Sequence, residues 1–152
     1  MYDEAARRVV AAWKEGGLTR LSQTLSRVVA GTVARPAADG VVFVPGDRER
    51  TLWRGHHAAE ALARALATQW QLPLVPLLAG GERRARQRGL ARTARQTNVR
   101  GAFSVLAPAP ASLVLVDDVY TTGATVSAAA GALRRAGART VDVVTLARAV
   151  RR

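Results

Sequence analysis

The sequence predicts an α/β fold, a parallel sheet flanked by helices and preceded by a small helical segment. Apolar residues at helical spacing alternate along the chain with short β-branched runs, and this order is typical of parallel strands joined by right-handed crossovers. The runs at 41–44 and 113–116 are continuously apolar and end at proline or aspartate, as in strands buried on both faces. At 152 residues, the chain is long enough for one domain with its own core.

The N-terminal part is predicted to be helical. Apolar residues recur every three or four positions over 2–13 and again over 18–29, and each pattern ends near glycine. We expect these helices to form a lid, residues 1–36, on an α/β core, residues 40–152. The whole chain, 1–152, is expected to be a single domain.

The first half of the core contains one clear strand and one clear helix. Residues 41–44 form the strand, and residues 55–70 carry their apolar side chains on one helical face. The apolar segment 72–78 contains Pro73 and Pro76. Because proline cannot donate a hydrogen bond within a sheet, a strand in this segment is short or lies near an edge.

The second half of the core begins with a polar segment. Residues 80–100 are rich in arginine and lack strong periodicity, which predicts a long loop of the kind that is usually functional or mobile. The strand at 113–116 follows, and a helix over 123–136 ends at glycine. A last strand over 141–146 completes the predicted sheet.

Charge is the unusual bulk property of this chain. The 23 basic residues exceed the 11 acidic ones and give a net charge of +12, and only Lys14 is lysine. A compositional bias towards alanine and arginine explains this without any function. The functional explanations are a phosphorylated ligand, which suits the planar fork of arginine, or nucleic acid.

Several classes of protein are disfavoured by composition. No stretch approaches the roughly 18 apolar residues of a membrane span, and the N-terminus lacks the basic-then-apolar order of a signal peptide. The sequence has no cysteine, which excludes disulfides and thiolate metal sites. We therefore expect a cytoplasmic protein with no membrane partner.

The stretch "LVLVDDVYTTGAT", residues 113–125, carries the strongest chemical signal. Asp117 and Asp118 follow a predicted strand, and ligands of open parallel sheets bind beyond the carboxyl ends of strands. The next residues form a turn that opens directly into a helix, whose unpaired N–H groups and partial positive charge favour phosphate. Carboxylates accept hydrogen bonds from a sugar diol or hold Mg²⁺. A ribose 5-phosphate satisfies both halves of the stretch.

A simpler explanation exists for each part of this stretch. The aspartates alone could belong to an ordinary turn after a strand, and Thr122 could be a helix N-cap. The combination rarely arises by chance: an apolar strand, paired aspartates, Thr-Thr-Gly and a helix that follows directly.

Residues 113–125 resemble the signature of type I phosphoribosyltransferases, which bind 5-phosphoribosyl-1-pyrophosphate (PRPP). The resemblance implies that Asp117 and Asp118 are the catalytic-site acids that contact the ribose hydroxyls and hold Mg²⁺, directly or through water. It also implies a loop around the 5-phosphate, formed by Tyr120, Thr121, Thr122, Gly123, Ala124 and Thr125.

Other segments are similar to the ComF-like (competence protein F) branch of that family. They are "YDEAARRVVAAWKEGG", "VFVPGDRERTLWRGHHAAEALARAL", "RQRGLARTARQTNVRGAF" and "VTLAR". Three features depart from the branch. The four-cysteine zinc ribbon with which many members begin is not found, His57 stands where many members have asparagine, and "VFVPGD" replaces the commoner Val-Pro-Val-Pro form.

The resemblance assigns further residues to the site. The loop after the first strand would bind pyrophosphate, with Pro45, Gly46, Asp47 and Arg54 as candidates. A flexible loop in the arginine-rich segment would close over the site and exclude water, with Arg95 and Asn98 as its candidates.

The function implied is Mg²⁺-dependent displacement of pyrophosphate at ribose C1 by an unidentified nitrogen acceptor. One alternative is a non-catalytic PRPP- or nucleotide-binding accessory protein in DNA uptake (competence), with competence proteins as partners. Another is binding of single-stranded nucleic acid through the arginine-rich loop. A homodimer is among the assemblies that we expect.

Overall fold

The computed structural model describes residues 8, 12–13, 21–46, 57–80 and 102–148, and the first three of these residues are helical. The elements, in chain order, are α1 (Leu21–Thr32), β1 (Gly40–Phe43), α2 (Ala58–Trp70), β2 (Leu78–Gly80), β3 (Phe103–Val105), β4 (Ser112–Tyr120), α3 (Ala124–Arg135) and β5 (Thr140–Arg148).

The central sheet has three parallel strands in the order β1-β4-β5, which confirms the predicted fold class. On the outer side of β1, Leu74 forms an isolated parallel bridge with Val41. The proline-containing segment 72–78 therefore lies at the edge of this sheet, as predicted.

Strand β4 occupies the middle of the sheet and is buried on both faces. Its residues from Leu113 to Val116 have no exposed surface. Leu113 and Leu115 pack in one cluster with α3, whereas Val114 and Val116 pack in a second cluster with α2. Because consecutive strand residues point to opposite faces, a strand covered on both sides needs an unbroken apolar run.

The helices form the two covering layers. On one face, α3 contributes Val126, Ala129 and Leu133 to the core. On the other face, α2 contributes Leu62 and Leu66, and α1 packs along α2.

The contact between α1 and the preceding helical residues is also buried. Trp13 has no exposed surface, and its indole N–H donates to Ser22 Oγ at 2.9 Å. Trp13 thus belongs to the layer that covers the sheet, and the role of residues 1–36 as a lid stays a prediction.

The strands extend beyond the predicted limits. Strand β4 runs through Asp117 and Asp118 to Tyr120. The apolar run ends at Val116, but the backbone ladder with β5 continues to the pair Tyr120 and Arg148. The apolar pattern predicts that the strand ends at Val116. The backbone, however, stays in the sheet as long as a neighbouring strand pairs with it.

The antiparallel pair β2–β3 was not predicted from the sequence. Each strand has three residues, and Leu78 pairs with Val105 across a long sequence separation.

Helices α1, α2 and α3 agree with the predicted helices within a few residues, and α1 continues past Gly31 to Thr32. Most of the first predicted helix and of the 80–100 loop lies outside the described residues. Within the described part of the chain, no helix is both long enough and apolar enough to span a bilayer.

Candidate functional site

The carboxyl ends of β1, β4 and β5 meet at one edge of the sheet, because the three strands are parallel. The Val44 N–H donates to the Val116 carbonyl at 3.0 Å, which continues the β1–β4 ladder by one residue. Pro45 and Gly46 therefore leave the sheet directly beside Asp117. The sequence-predicted pyrophosphate loop and the aspartate pair share this edge.

The two aspartates lie within β4, and both are partly buried. We predicted them just beyond the strand, but the longer β4 places them inside it. The Asp118 N–H donates to Asp117 Oδ1 at 2.9 Å.

The predicted phosphate loop is a turn that leads into α3. Thr121 and Thr122 are exposed, and Gly123 is the N-cap of the helix with φ 77° and ψ −6°. The Gly123 carbonyl accepts the Ser127 N–H at 2.9 Å, which closes the first turn of the helix. The N–H groups of a first helical turn have no partner inside the helix and carry a partial positive charge. This end of α3 is therefore able to hold an anion.

Tyr120 was predicted in the phosphate loop, and the structure places it as the last residue of β4. Its hydroxyl end packs against Gly123, where a Cβ atom would lie 2.7 Å from Tyr120 Cζ. The Arg148 guanidinium lies over the ring, 5.4 Å from its centroid. Sequence reasoning missed Arg148, because only the parallel register of β4 and β5 pairs it with Tyr120.

On the β1 side, His57 connects α2 to the loop after β1. It is the N-cap of α2, and its Nδ1 accepts the Glu60 N–H at 3.0 Å. The Gly46 backbone nitrogen contacts Nε2 of the same ring, and the centroid of the ring lies 5.6 Å from that of Phe43. Asparagine is a favoured N-cap because its side-chain oxygen accepts such a bond. In this chain an imidazole nitrogen performs the same role.

The described residues bring together Pro45, Gly46, the two aspartates and the turn at 120–125. The other sequence-predicted candidates, Asp47, Arg54, Arg95 and Asn98, lie outside the described residues. No cluster of three or more His, Cys, Asp or Glu side chains able to hold a metal occurs in the described ranges.

A groove of about 600 Å³ runs between α1 and α2. It starts at His57 and extends to Thr68 and Gln69 near the other end of α2. Most of the residues that line it have polar side chains, and Ser22 and Ser26 from α1 are among them.

Comparisons with known proteins agree with this geometry. The allosteric regulatory enzyme of purine biosynthesis and glutamine phosphoribosylpyrophosphate (PRPP) amidotransferase from B. subtilis, complexed with ADP and GMP, each match with a TM-score of 0.59 and 23% identity. Each match covers 82% of this chain, and 25% and 26% of those two chains, respectively. The fold is therefore that of the phosphoribosyltransferases.

Sequence relatives indicate which group of proteins with this fold the chain resembles. Competence protein F of Haemophilus influenzae is 30% identical over 142 residues, which cover 90% of this chain and 62% of the relative. DNA utilization protein YhgH of Salmonella typhi is 34% identical over 118 residues, or 74% of this chain and 51% of the relative. The chain thus spans between half and two thirds of these relatives. No family model matches it. These relatives and the shared fold support a ComF-like protein of phosphoribosyltransferase fold.

Replacing Gly123 by alanine is predicted to destabilise the protein. A side chain at φ 77° is strained, and its Cβ would overlap Tyr120, so we expect the free energy of unfolding to fall by about 1–3 kcal/mol. Urea denaturation followed by circular dichroism measures the change. Gly131→Ala is the matched control, since a Cβ there meets only the tip of Arg135 at 3.4 Å. In the helix interior it should stabilise by about 0.5–1 kcal/mol. Equal effects of the two substitutions would contradict this account of the turn.

Substitutions of His57 test its role as the N-cap of α2. His57→Ala removes the acceptor for the Glu60 N–H and should lower the free energy of unfolding by about 0.5–2 kcal/mol. His57→Asn keeps an acceptor and should stay close to the parent in the same urea titration. If asparagine costs as much as alanine, His57 acts by some contact other than the cap.

Proposed function

We propose that this protein binds PRPP and transfers its 5-phosphoribosyl group to a nitrogen acceptor, with release of pyrophosphate. The observation that carries the proposal is the strand–turn–helix from β4 to α3. It presents Asp117 and Asp118 beside the helix N-terminus that begins at Gly123. A chain with the phosphoribosyltransferase fold and this arrangement is suited to a ligand with a phosphate and a diol. A cytoplasmic location is part of the same proposal.

The two halves of the arrangement suit opposite ends of a ribose 5-phosphate. A phosphate accepts hydrogen bonds, so it belongs at the turn formed by residues 120–125, where the backbone N–H groups of α3 begin. Ribose hydroxyls donate hydrogen bonds, so they belong at the carboxylates of Asp117 and Asp118. The pyrophosphate group would then extend from C1 towards Pro45 and Gly46 at the end of β1.

The donor set also fits Mg²⁺. This ion usually keeps several waters and binds through one or two carboxylates together with phosphate oxygens of the substrate, so it needs no cage of protein ligands. Asp117 and Asp118 are the residues that would hold it. Bound there, Mg²⁺ would offset negative charge on the departing pyrophosphate.

The proposed reaction breaks the bond from ribose C1 to the pyrophosphate oxygen and forms a bond from C1 to the acceptor nitrogen. Pyrophosphate leaves with the electron pair, and the acceptor loses a proton. Positive charge develops on the ribose ring as the bond to C1 breaks. Carboxylates of Asp117 and Asp118 beside the ring would stabilise that charge, while the turn at 120–125 fixes the 5-phosphate and thus the position of C1.

The relatives' names support a second candidate function. Competence protein F and DNA utilization protein YhgH are names of proteins linked to the handling of DNA. A chain of net charge +12 suits an accessory role in DNA uptake, in which PRPP or a nucleotide is bound without turnover. Single-stranded DNA would contact the arginine-rich segment, because arginines neutralise backbone phosphates.

PRPP titration by calorimetry, with and without Mg²⁺, tests the first proposal. The parent should bind PRPP more tightly with Mg²⁺, and the double variant Asp117→Asn with Asp118→Asn should lose that gain. Asp142→Asn, an exposed carboxylate of β5, is the control and should bind as the parent does. Undiminished binding by the double variant would reject this site. Release of pyrophosphate with one of a panel of nitrogen bases would separate an enzyme from a binding protein.

The DNA candidate predicts a strong dependence of affinity on salt. Fluorescence anisotropy with a labelled single strand should show log affinity falling linearly with log salt. Each arginine replaced by glutamine among Arg83, Arg84 and Arg86 should lower the slope by about 1. Arg134→Gln with Arg135→Gln, at the exposed end of α3, is the control. Absence of binding at low salt would remove this candidate.

A further inference from the structure

We infer that Arg148 is a positioning residue for the phosphate loop: by stacking on Tyr120 it holds the Tyr120 ring against Gly123 and strengthens binding of a phosphate monoester at this turn. This inference rests on the proposed function and names the end of the ligand that Arg148 serves. It depends on three separate features of the described residues, which are the strand register, the contacts of the Tyr120 ring and the charge of Arg148.

The register brings Arg148 to the site. Tyr120 and Arg148 are the last residues of β4 and β5, and they are paired across the parallel ladder. Both therefore lie at the carboxyl edge, where the turn at 121–123 begins. The guanidinium is 5.4 Å from the ring centroid, within the range of a cation–π contact.

The Tyr120 side chain contacts two parts of the structure besides Arg148. Its hydroxyl end lies against Gly123, and its body packs against the core cluster that contains α3. Arg148 lies over its face, so the ring is contacted at its hydroxyl end, along its body and on one face. Since Gly123 is the N-cap of α3, a fixed ring also fixes the turn whose N–H groups would face the phosphate.

The charge of Arg148 is available to favour an anion. The side chain is exposed, and no ion pair joins it to a carboxylate of the described ranges. A cation at this position adds to the positive potential of the α3 N-terminus.

Arg148 lies near the site proposed for the 5-phosphate of PRPP and away from the site proposed for its pyrophosphate. Strands β1 and β5 flank β4 on opposite sides, so Arg148 lies across β4 from Gly46 and the candidate pyrophosphate loop. An effect of Arg148 should therefore appear for ligands with a 5-phosphate and be absent for pyrophosphate alone.

Calorimetric titrations with ribose 5-phosphate, PRPP with Mg²⁺ and pyrophosphate with Mg²⁺ test the inference. Arg148→Gln should weaken the first two ligands by the same factor, about two- to fivefold, and leave pyrophosphate unchanged. Arg148→Lys keeps the positive charge and should recover part of the loss. Arg139→Gln is the control, because this exposed arginine precedes β5 at the opposite edge of the sheet.

A second background separates positioning through Tyr120 from direct contact with the ligand. In Tyr120→Leu, the further change Arg148→Gln should have a smaller effect than in the parent, because the ring that transmits the positioning is gone and only the charge of Arg148 contributes. A full Arg148 effect in that background, an equal loss for pyrophosphate, or no difference from Arg139→Gln would each overturn the inference. A parent that binds neither ribose 5-phosphate nor PRPP would overturn the proposed function, and the inference with it.

Discussion

The burial of β4 on both faces, between two parallel neighbours, is the constraint on which the rest of the structure depends. Four consecutive residues of this strand have no exposed surface, and they are shared between the clusters of α2 and α3. A strand held in this way fixes where its carboxyl end emerges. Because β1 and β5 run parallel to it, their ends emerge at the same edge. The aspartate pair, the turn before α3 and the loop after β1 are thus brought together by the packing of the core.

The side chains of His57 and Tyr120 attach the parts of this edge to the core. On one side, His57 caps α2 and contacts Gly46, which couples a helix of the core to the loop after β1. On the other side, Tyr120 packs between Gly123 and Arg148, which couples the turn before α3 to the end of β5. Backbone N–H groups hold an anion better when they are fixed in position before it binds. The two contacts supply such support on both sides of the carboxylates.

The sequence alone predicted the class of fold, the three strands of the central sheet and their helices, because their apolar patterns are local and strong. It did not predict β2 and β3, which have three residues each and pair across a long separation. It also ended β4 at Val116, since the ladder that carries the strand through Asp117 and Asp118 depends on β5. The site motif at 113–125 was visible because its chemistry is contiguous in sequence. Arg148 and the cap role of His57 were not, because they depend on register and on a hydrogen bond to the backbone.

The central claim is that a phosphate-bearing ligand binds at the turn between β4 and α3. Titration of ¹⁵N-labelled protein with ribose 5-phosphate, followed by amide ¹H–¹⁵N correlation spectra, tests it most directly. We expect the largest shifts, saturating together, in the amides of residues 121–126, with smaller shifts at Asp117 and Asp118. Saturating shifts confined to the polar groove between α1 and α2, around Ser26 and Thr68, would contradict it.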